Sequence, residues 1–518
     1  MKKLLYLALL VAIGCGTYQK TSEKKDVKNV DPVPYANTIT ETELKTHLYT
    51  YASDEFEGRD TGEPGQKKAV AYLRDEYKNL KIPAAQEDGD YFQNVPLQKG
   101  ADLNSTLTIN GKVYTFEDDF LTFGAGTNGT TKFSDIVYLG YGIDDEKYSD
   151  YENQNVEGKV LLIKMGEPKG KDGNYLISGT DETSKWSNNR QGPAGKINAA
   201  KERKAKGVLF YVDEMYPRYK MQLAYVKKNS RVSLKGEQSP FFYYVIGDRL
   251  AKDLHPQIAD DYATKTMNVN ATLVVNDKTN DVSSENVVAI IKGSEKPEEY
   301  IVISAHLDHE GVKNGEIYNG ADDDGSGTVA MLEIAEAFKK AEKEGNGPKR
   351  SIVFLHVTGE EKGLLGSRYY TDNPIFPLDQ TVCDLNIDMI GRIDPKRTEG
   401  DRNYVYLIGS DKLSTELHNI SEEVNKKYTN IELDYTFNDE NDPNRYYYRS
   451  DHYNFAKNNV PVIFYFNGTH DDYHRPSDTV EKINYDLLEN RTRLIFYTAW
   501  ELANRDKRIV ADKATVTK

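Results

Sequence analysis

From Asn286 onward, near-continuous apolar runs alternate with stretches of helical periodicity, and this pattern restricts the fold more than any other feature. Strands that are apolar on both faces are typical of a parallel sheet covered by helices on each side. We therefore predict an α/β fold with a mixed, largely parallel sheet sandwiched by helices. The predicted strands are Tyr300 to Ala305, Ser351 to Val357, Val382 to Met389 and Val460 to Phe466.

Each of these runs leads into residues of the types that bind metal ions. Ligands gather outside the carboxyl ends of parallel strands, where residues from several strands meet. A lone His or Asp at a strand end is usually a surface or capping group, but four such ends in one sheet favour a metal site. Imidazole nitrogen and carboxylate oxygen are ligands that zinc prefers. The residues in question are His306, Asp308 and His309, then Glu360 and Glu361, then Asp388, and finally His470 and His474.

An acidic loop, Asp322-Asp323-Asp324, precedes a predicted helix from Ser326 to about Glu344. Aspartate is common at the start of a helix, where it caps backbone N–H groups and complements the dipole. A helix cap does not account for all three consecutive carboxylates. Their mutual repulsion is relieved if a divalent cation lies among them.

The first residues have the pattern of a bacterial lipoprotein signal peptide. Two lysines precede an apolar run from Leu4 to Ile13, and the run is followed by Gly14 and Cys15. We predict a signal peptide over residues 1–15, lipid attachment at Cys15, and a flexible polar tether over residues 16–38. The chain would then be exported and held on the periplasmic side of a bacterial membrane or on the cell surface. Simple signal-peptide cleavage is the alternative.

The charge of the chain restricts its partners. The formal net charge is −15, which disfavours nucleic acid because phosphate binding requires a clustered basic surface. The same charge mildly favours cationic or amine-bearing substrates. Contact with a membrane is expected only through the N-terminal lipid.

Five motifs together resemble one enzyme family, the secreted bacterial dizinc aminopeptidases of the leucyl aminopeptidase type, which are related to aminopeptidase Y and glutamate carboxypeptidase. The resemblance covers roughly residues 40–505. Its motifs are His306-x-Asp308, Gly320-Ala-x-Asp323-x-Gly-Ser-Gly327, Gly359-Glu360-Glu361, Asn386-Ile-Asp388-Met-Ile-Gly391 and Tyr473-His474-x-x-x-Asp478.

The resemblance implies a ligand set for two zinc ions. His306 and Asp388 would bind one ion, Glu361 and His474 the other, and Asp323 would bridge both. Five protein ligands shared between two ions leave positions open for water. Cobalt and manganese also suit nitrogen and oxygen ligands.

The resemblance also implies three further roles. Glu360 would act as the general base on a water that the two ions share. Tyr473 would donate a hydrogen bond to the developing oxyanion, and a packed aromatic at the rim of the cleft is the alternative. Asp308 lies two residues from His306, on the same strand face, and would orient that imidazole. His309 and the run from Arg449 to His452 are candidate groups around the site.

The predicted domain organisation places an insertion inside the peptidase unit. Residues 125–265 have short β-rich runs without clustered catalytic residues, and strands of the earlier class resume after them, which predicts an inserted α+β unit. This insertion resembles a protease-associated domain. The first peptidase segment contains helical patterns at Glu41 to Ala52 and Gly65 to Leu80. The predicted segments are 39–124 (first peptidase segment), 125–265 (insertion), 266–505 (catalytic segment) and 506–518 (loose tail).

The leading functional prediction is a zinc-dependent exopeptidase, an aminopeptidase that removes N-terminal residues from peptides. A carboxypeptidase of the glutamate carboxypeptidase type is the nearest alternative, and Arg392, Arg445 or Arg449 could hold its substrate's free carboxylate. Glutaminyl cyclisation and a non-catalytic, receptor-like role are weaker alternatives. Both are disfavoured because all five ligand positions carry suitable side chains.

Overall fold

The computed structural model describes residues 30–123, 128–188, 191–228, 232–236 and 241–514. The helices are α1 (Val33–Ala36), α2 (Glu41–Tyr51), α3 (Pro64–Leu80), α4 (Gln191–Glu202), α5 (Tyr216–Lys228), α6 (Asp248–Leu254), α7 (Gly327–Lys343), α8 (Leu365–Asp372), α9 (Thr415–Tyr428), α10 (His452–Ala456) and α11 (Tyr485–Asn504).

The strands are β1 (Phe92–Ile109), β2 (Lys112–Thr115), β3 (Phe120–Leu121), β4 (Gly129–Tyr138), β5 (Asp144–Asp145), β6 (Tyr148–Ser149), β7 (Val160–Lys164), β8 (Gly207–Tyr211), β9 (Val232–Leu234), β10 (Phe242–Ile246), β11 (Lys265–Ile291), β12 (Lys296–His306), β13 (Gly311–Lys313), β14 (Glu316–Tyr318), β15 (Arg350–Val357), β16 (Thr381–Ile387), β17 (Tyr404–Ile408), β18 (Glu432–Asp434) and β19 (Val462–Phe466).

Local sequence determines where several helices begin. Thr40 accepts a hydrogen bond from the backbone N–H of Glu43 and donates one to the Glu43 carboxylate, which caps the start of α2. Pro64 occupies the first turn of α3, where its missing N–H has no consequence. The helices predicted at Glu41 to Ala52 and Gly65 to Leu80 are confirmed.

The sheet of the C-terminal half is mixed and largely parallel, as the apolar runs predict. Strand β12 lies between β15 and β16 and pairs with both in parallel, and β16 pairs in parallel with β19. Antiparallel neighbours, β11 and β17, flank this parallel group. The carboxyl ends of four strands therefore meet at one edge.

Both faces of this sheet are covered, which explains why its strands are apolar throughout. Along β12, Ile301 and Ile303 lie in the core formed with α2, α3, α7 and α11. Their neighbours Tyr300 and Val302 lie in the opposite core, together with Tyr370 of α8 and Phe455 of α10. Successive side chains of a strand point to opposite faces, so both sets must be apolar.

A second unit continues the same sheet through two long strands. Strands β1 and β11 pair antiparallel over most of their length, and β11 passes from the sheet of the C-terminal half to pair with β4. Parallel pairs then join β4, β7, β8 and β10 in order. The hydrophobic core of this unit includes Leu107, Tyr114 and Phe120 and also Ala271 and Val275, which lie outside the predicted insertion limits of 125 and 265.

Both ends of the folded part extend beyond the predicted limits. The prediction assigned residues up to 38 to a tether, but Val33–Ala36 is helical and the Tyr35 ring stacks on Trp500. The prediction of a loose tail from residue 506 is corrected as well, because Ile509 is buried and Asp512 accepts hydrogen bonds from Thr415. The apolar contacts of Tyr35 and Ile509 explain both differences.

The predicted signal peptide, the lipid site at Cys15, most of the tether and the last four residues lie outside the described residues. Among the helices of the described ranges, none combines the length and the apolar character needed to cross a membrane.

Candidate metal centre

The five residues predicted as metal ligands lie together at the carboxyl edge of the sheet. His306 ends β12, Glu361 and Asp388 follow β15 and β16, and His474 lies in the loop after β19. Asp323 lies in a π-helical turn, Ala321–Ser326, directly before α7. Residues that are 168 positions apart in sequence, from 306 to 474, thus converge because their strands end side by side.

Asp323 lies between two histidines, and each of its oxygens faces one of them. Oδ1 lies 3.2 Å from His306 Nε2, and Oδ2 lies 3.1 Å from His474 Nε2. His306 Nε2 is also 3.6 Å from Asp388 Oδ1, and His474 Nε2 is 3.2 Å from Glu361 Oε2. The contacts divide into two half-sites that share Asp323, with the grouping that the motifs predict.

Two further residues approach the half-site formed by Glu361 and His474. His309 is fully buried, and its Nδ1 lies 2.9 Å from Glu361 Oε1 and 3.7 Å from Asp323 Oδ2. Glu310 Oε1 lies 3.7 Å from His474 Nδ1. The sequence indicates no definite role for His309 and does not distinguish Glu310 from other surface glutamates. Their position directly after Asp308 in the same strand-end run is the signal that could have identified them.

Several buried polar atoms of the centre make no hydrogen bond of acceptable geometry in the described part of the chain, although they lie as close as 2.9 Å to other ligand-type atoms. They are His306 Nε2, both ring nitrogens of His309, Asp323 Oδ2 and Glu361 Oε1. Unpaired buried polar atoms are rare in folded proteins and call for an explanation such as a bound ion. The unpaired atoms are imidazole nitrogens and carboxylate oxygens, so this centre fits divalent zinc.

The electrostatics of Asp323 favour its ionised form. Burial alone would raise its pKa, but the nearby His309, His306 and His474 hold the pKa well below its usual range. Asp323 is therefore a carboxylate with both oxygens directed at positively polarised groups. That is the state in which it can bind a cation.

The three consecutive aspartates have different environments. Asp322 accepts hydrogen bonds from the Gly391 N–H and the Ser326 hydroxyl. Asp324 accepts from the backbone N–H groups of His306, Gly327 and Met389. Hydrogen-bond donors of the surrounding chain thus hold Asp322 and Asp324, whereas Asp323 faces the centre.

Asp478 holds the backbone of this acidic turn. Its Oδ2 accepts hydrogen bonds from the N–H groups of Asp322 at 3.0 Å and Asp323 at 3.2 Å. Gly320 begins the turn with a positive φ of 55°, and a side chain there would collide with the His309 ring. These two residues of the sequence motifs therefore fix the position of Asp323.

Asp308 orients His306 through its backbone, which differs from the side-chain role that its strand face suggested. His306 Nδ1 donates to the Asp308 carbonyl oxygen at 2.9 Å, and because a carbonyl only accepts, Nε2 is left free to face Asp323. The Asp308 carboxylate instead accepts from the Thr61 hydroxyl at 2.6 Å and from the backbone N–H of Glu360 at 3.1 Å. Asp308 thus contacts both a candidate ligand and the candidate base.

Asp388 is held by a buried chain of hydrogen bonds. The Ser450 hydroxyl donates to Asp388 Oδ2 at 2.7 Å, and the Asn386 side-chain amide donates to Ser450 at 2.9 Å. The Ser304 hydroxyl lies at hydrogen-bond distance from Asn386 Oδ1 and from Asp384. The run from Arg449 to His452 therefore reaches the centre through Ser450.

A cavity with one aromatic wall opens beside the two half-sites. Asp323, Glu360 and Asp388 lie on its polar side. Burial raises the pKa of Glu360 well above its usual range, the nearby His306 lowers it, and Glu361 and Asp388 raise it. The other lining residues are Met389, Tyr446, Arg449, Phe464, Phe466, Thr469 and Tyr473. The Tyr473 ring stacks on His474, with ring centroids 3.9 Å apart.

Residues 286–499 match the model of peptidase family M28. The match contains the five predicted ligands and Glu360. Thr61 and the buried Arg59 contact the M28 segment from outside it.

The known proteins that are similar to this chain differ in how much of it they match. Aminopeptidase YwaD of Bacillus subtilis (strain 168) is 23% identical over 524 residues, which cover 98% of this chain and 96% of YwaD. A probable leucine aminopeptidase of Trichophyton verrucosum is 31% identical over 226 residues, 42% of this chain and 57% of that protein. Probable glutamate carboxypeptidase LAMP1 of Arabidopsis thaliana is 34% identical over 105 residues, 20% of this chain and 14% of LAMP1. The chain thus spans nearly all of YwaD but less than two thirds of the other two.

Among solved structures, this chain is similar to an aminopeptidase from Aneurinibacillus sp. strain AM-1. That comparison gives a TM-score of 0.49 at 18% identity and covers 94% of this chain and 99% of the other. The zinc aminopeptidase BSAP from Bacillus subtilis gives a TM-score of 0.47 at 19% identity, and this comparison covers 92% of this chain and 99% of BSAP.

Proposed function

We propose that this protein is a zinc-dependent aminopeptidase that uses two metal ions and removes N-terminal residues from peptides. The position of Asp323 carries the proposal, since its two oxygens face His306 and His474 at 3.2 and 3.1 Å. In the proposed ligand set, His306 and Asp388 would hold one ion, Glu361 and His474 would hold the other, and Asp323 would be shared by both. When bound, two such ions supply an activated water and stabilise negative charge on the reacting carbonyl oxygen.

The proposed general base is Glu360. It lines the cavity beside Asp323 and Asp388, and its backbone N–H is fixed by the Asp308 carboxylate. A carboxylate at this position can take the proton of the attacking water and return it to the leaving amine. The neighbouring Glu361 faces the histidines, so the two glutamates divide ligation and proton transfer between them.

Tyr473 is proposed to donate a hydrogen bond from its hydroxyl to the developing oxyanion. It lines the same cavity and lies against His474. Burial and the nearby Asp323 and Glu361 raise the pKa of Tyr473 well above its usual range, so its hydroxyl keeps the proton that it must share.

Two observations support an aminopeptidase. The carboxylates around the cavity, from Asp323, Glu360 and Asp388, suit the ammonium group of a free N-terminus. The relative YwaD, which matches 98% of this chain, is named an aminopeptidase. Of the arginines that a carboxypeptidase would need, Arg392 is paired with Asp472 at 3.0 Å, whereas Arg449 lines the cavity.

The experiment that tests this proposal is an assay of zinc-loaded protein on three forms of one tripeptide. The forms are free at both ends, acetylated at the N-terminus, and amidated at the C-terminus. We expect hydrolysis of the free and amidated forms with release of the N-terminal residue. Hydrolysis of the acetylated form alone, with release of the C-terminal residue, would replace the aminopeptidase by a carboxypeptidase.

A further inference from the structure

Arg449 lines the cavity, and its guanidinium has no anionic partner among the described residues. Its guanidinium lies over the Tyr446 ring, 4.9 Å from the centroid, and the residue is exposed. Within the described ranges of the chain, this guanidinium makes no ion pair and no side-chain hydrogen bond. Its donors therefore face the cavity and solvent.

Two other arginines near the site have their charges matched or their donors used. Arg392 pairs with Asp472, and Arg491 donates to the backbone carbonyl oxygens of Tyr404, Ile390 and Arg392. Arg445 lies over the Tyr448 ring and does not line the cavity.

The backbone of Arg449 is fixed close to the proposed metal ligands. The next residue, Ser450, is buried and donates to Asp388 Oδ2 at 2.7 Å. The charge of Arg449 also acts on Tyr473, where it opposes the rise in the pKa of the hydroxyl. The guanidinium thus lies within electrostatic reach of the groups proposed to act on the peptide bond.

We infer that Arg449 binds a carboxylate of the substrate and so determines specificity. The inference rests on the proposed function. A guanidinium presents a planar fork of N–H donors that pairs with both oxygens of a carboxylate, and its stacking on Tyr446 holds that fork in place. The aromatic wall, with Phe464 and Phe466, accommodates the apolar part of the same residue. Two substrate groups have this chemistry: the C-terminal carboxylate of a dipeptide and the side chain of an acidic N-terminal residue.

The test compares matched substrates on zinc-loaded wild-type, Arg449→Gln and Arg445→Gln proteins. One pair is Leu-Leu and its C-terminal amide, and the other is the p-nitroanilides of glutamate and glutamine. We expect Arg449→Gln to raise KM for one carboxylate substrate about 10- to 100-fold, the range of a charge-assisted pair, with kcat little changed. The uncharged partner of that pair should change less than about threefold, and Arg445→Gln should change neither.

The pair that responds identifies the source of the carboxylate. A rise for Leu-Leu alone assigns the terminal carboxylate, and a rise for the glutamyl substrate alone assigns the side chain. Arg449→Lys, which keeps the charge and loses the fork, should give an intermediate KM. Equal effects on charged and uncharged substrates would overturn the inference, because Arg449 would then have a structural role.

A binding measurement separates this inference from the proposed function. The same peptides are titrated by calorimetry into wild-type and Arg449→Gln protein. If wild-type protein hydrolyses no free-amine substrate but Arg449→Gln still weakens binding of the carboxylate form alone, the proposed function fails and the carboxylate site stands. If hydrolysis occurs and binding of the two forms is equally affected, the function stands and the inference fails.

Discussion

The Ser450 hydroxyl donates a hydrogen bond of 2.7 Å to Oδ2 of Asp388, and the other oxygen of Asp388 lies 3.6 Å from His306 Nε2. Ser450 therefore fixes which oxygen of Asp388 faces the centre. Groups that orient metal ligands in this way typically change metal affinity 10- to 100-fold when they are removed.

We predict that Ser450→Ala weakens binding of one zinc ion by about 10- to 100-fold. Zinc affinity is measured by competition with a chromogenic chelator, and unfolding is followed in parallel. Ser421→Ala is the matched control, because the Ser421 hydroxyl is buried in α9 without a hydrogen-bond partner among the described residues. Equal zinc affinity in the two variants would contradict a role for Ser450 in orienting Asp388.

We predict that Glu360→Gln lowers kcat for a free-amine peptide by about 10²- to 10⁴-fold, which is the typical contribution of a general base. The substitution keeps the shape of the side chain and removes its basicity. Metal content should stay at the wild-type value, since Glu360 is not in the proposed ligand set. Glu316→Gln, in the exposed hairpin of β13 and β14, is the control. Full activity in Glu360→Gln would refute the assignment of the base.

We predict that Arg59→Lys destabilises the protein by about 3 kcal/mol, because buried carbonyls that lose a donor cost roughly 1–3 kcal/mol each. The buried Arg59 guanidinium donates to the carbonyl oxygens of Tyr51, Leu307, Asn319 and Gly320. A lysine ammonium has three donors and no planar fork, so it leaves at least one carbonyl unpaired. Urea unfolding measures the change, and a loss below about 0.5 kcal/mol would show that solvent replaces the guanidinium.

We predict that Glu333 makes the protein less stable as pH rises. Burial raises its pKa to about 9, and Glu43 and Glu336 add to the rise. His47 Nε2 lies 3.6 Å away, and burial lowers the pKa of His47, so His47 does not supply a compensating charge.

The sign follows from proton binding. Between about pH 4.5 and 9 the folded protein keeps the Glu333 proton and the unfolded chain releases it, so the free energy of unfolding falls with pH by up to about 1.4 kcal/mol per unit. Glu333→Gln imitates the protonated form and should flatten this dependence between pH 5.5 and 8. Unfolding in urea across that range measures it, with Glu316→Gln as the exposed control. Parallel pH profiles for wild type and Glu333→Gln would contradict the prediction.

The sheet and the set of converging residues could be predicted from sequence because both depend on short-range signals. An apolar run marks each strand, and the residue that follows the run lies at the edge of the sheet. That position depends on local sequence and not on contacts with distant residues. The acidic loop that contains Asp323 could also be recognised from a local motif, although the motif did not show that hydrogen-bond donors of the chain would hold Asp322 and Asp324.

Contacts between distant residues could not be predicted in this way. Ser450 lies 62 positions from Asp388, and Asp478 lies 155 positions from Asp323, so no spacing rule connects them. The orientation of His306 by a carbonyl oxygen depends on backbone geometry that the identity of Asp308 does not reveal. The sequence places Tyr35 in the predicted tether and Ile509 in the predicted loose tail, because a single aromatic or aliphatic residue in a polar stretch is a weak signal for packing.

The most direct test of a two-metal peptidase is a titration of zinc into protein that has been stripped with a chelator. The rate of hydrolysis of leucine p-nitroanilide is recorded after each addition. We predict a rate near zero without metal and a plateau at two equivalents of zinc per chain. A plateau at one equivalent, or full activity in the stripped protein, would contradict the account.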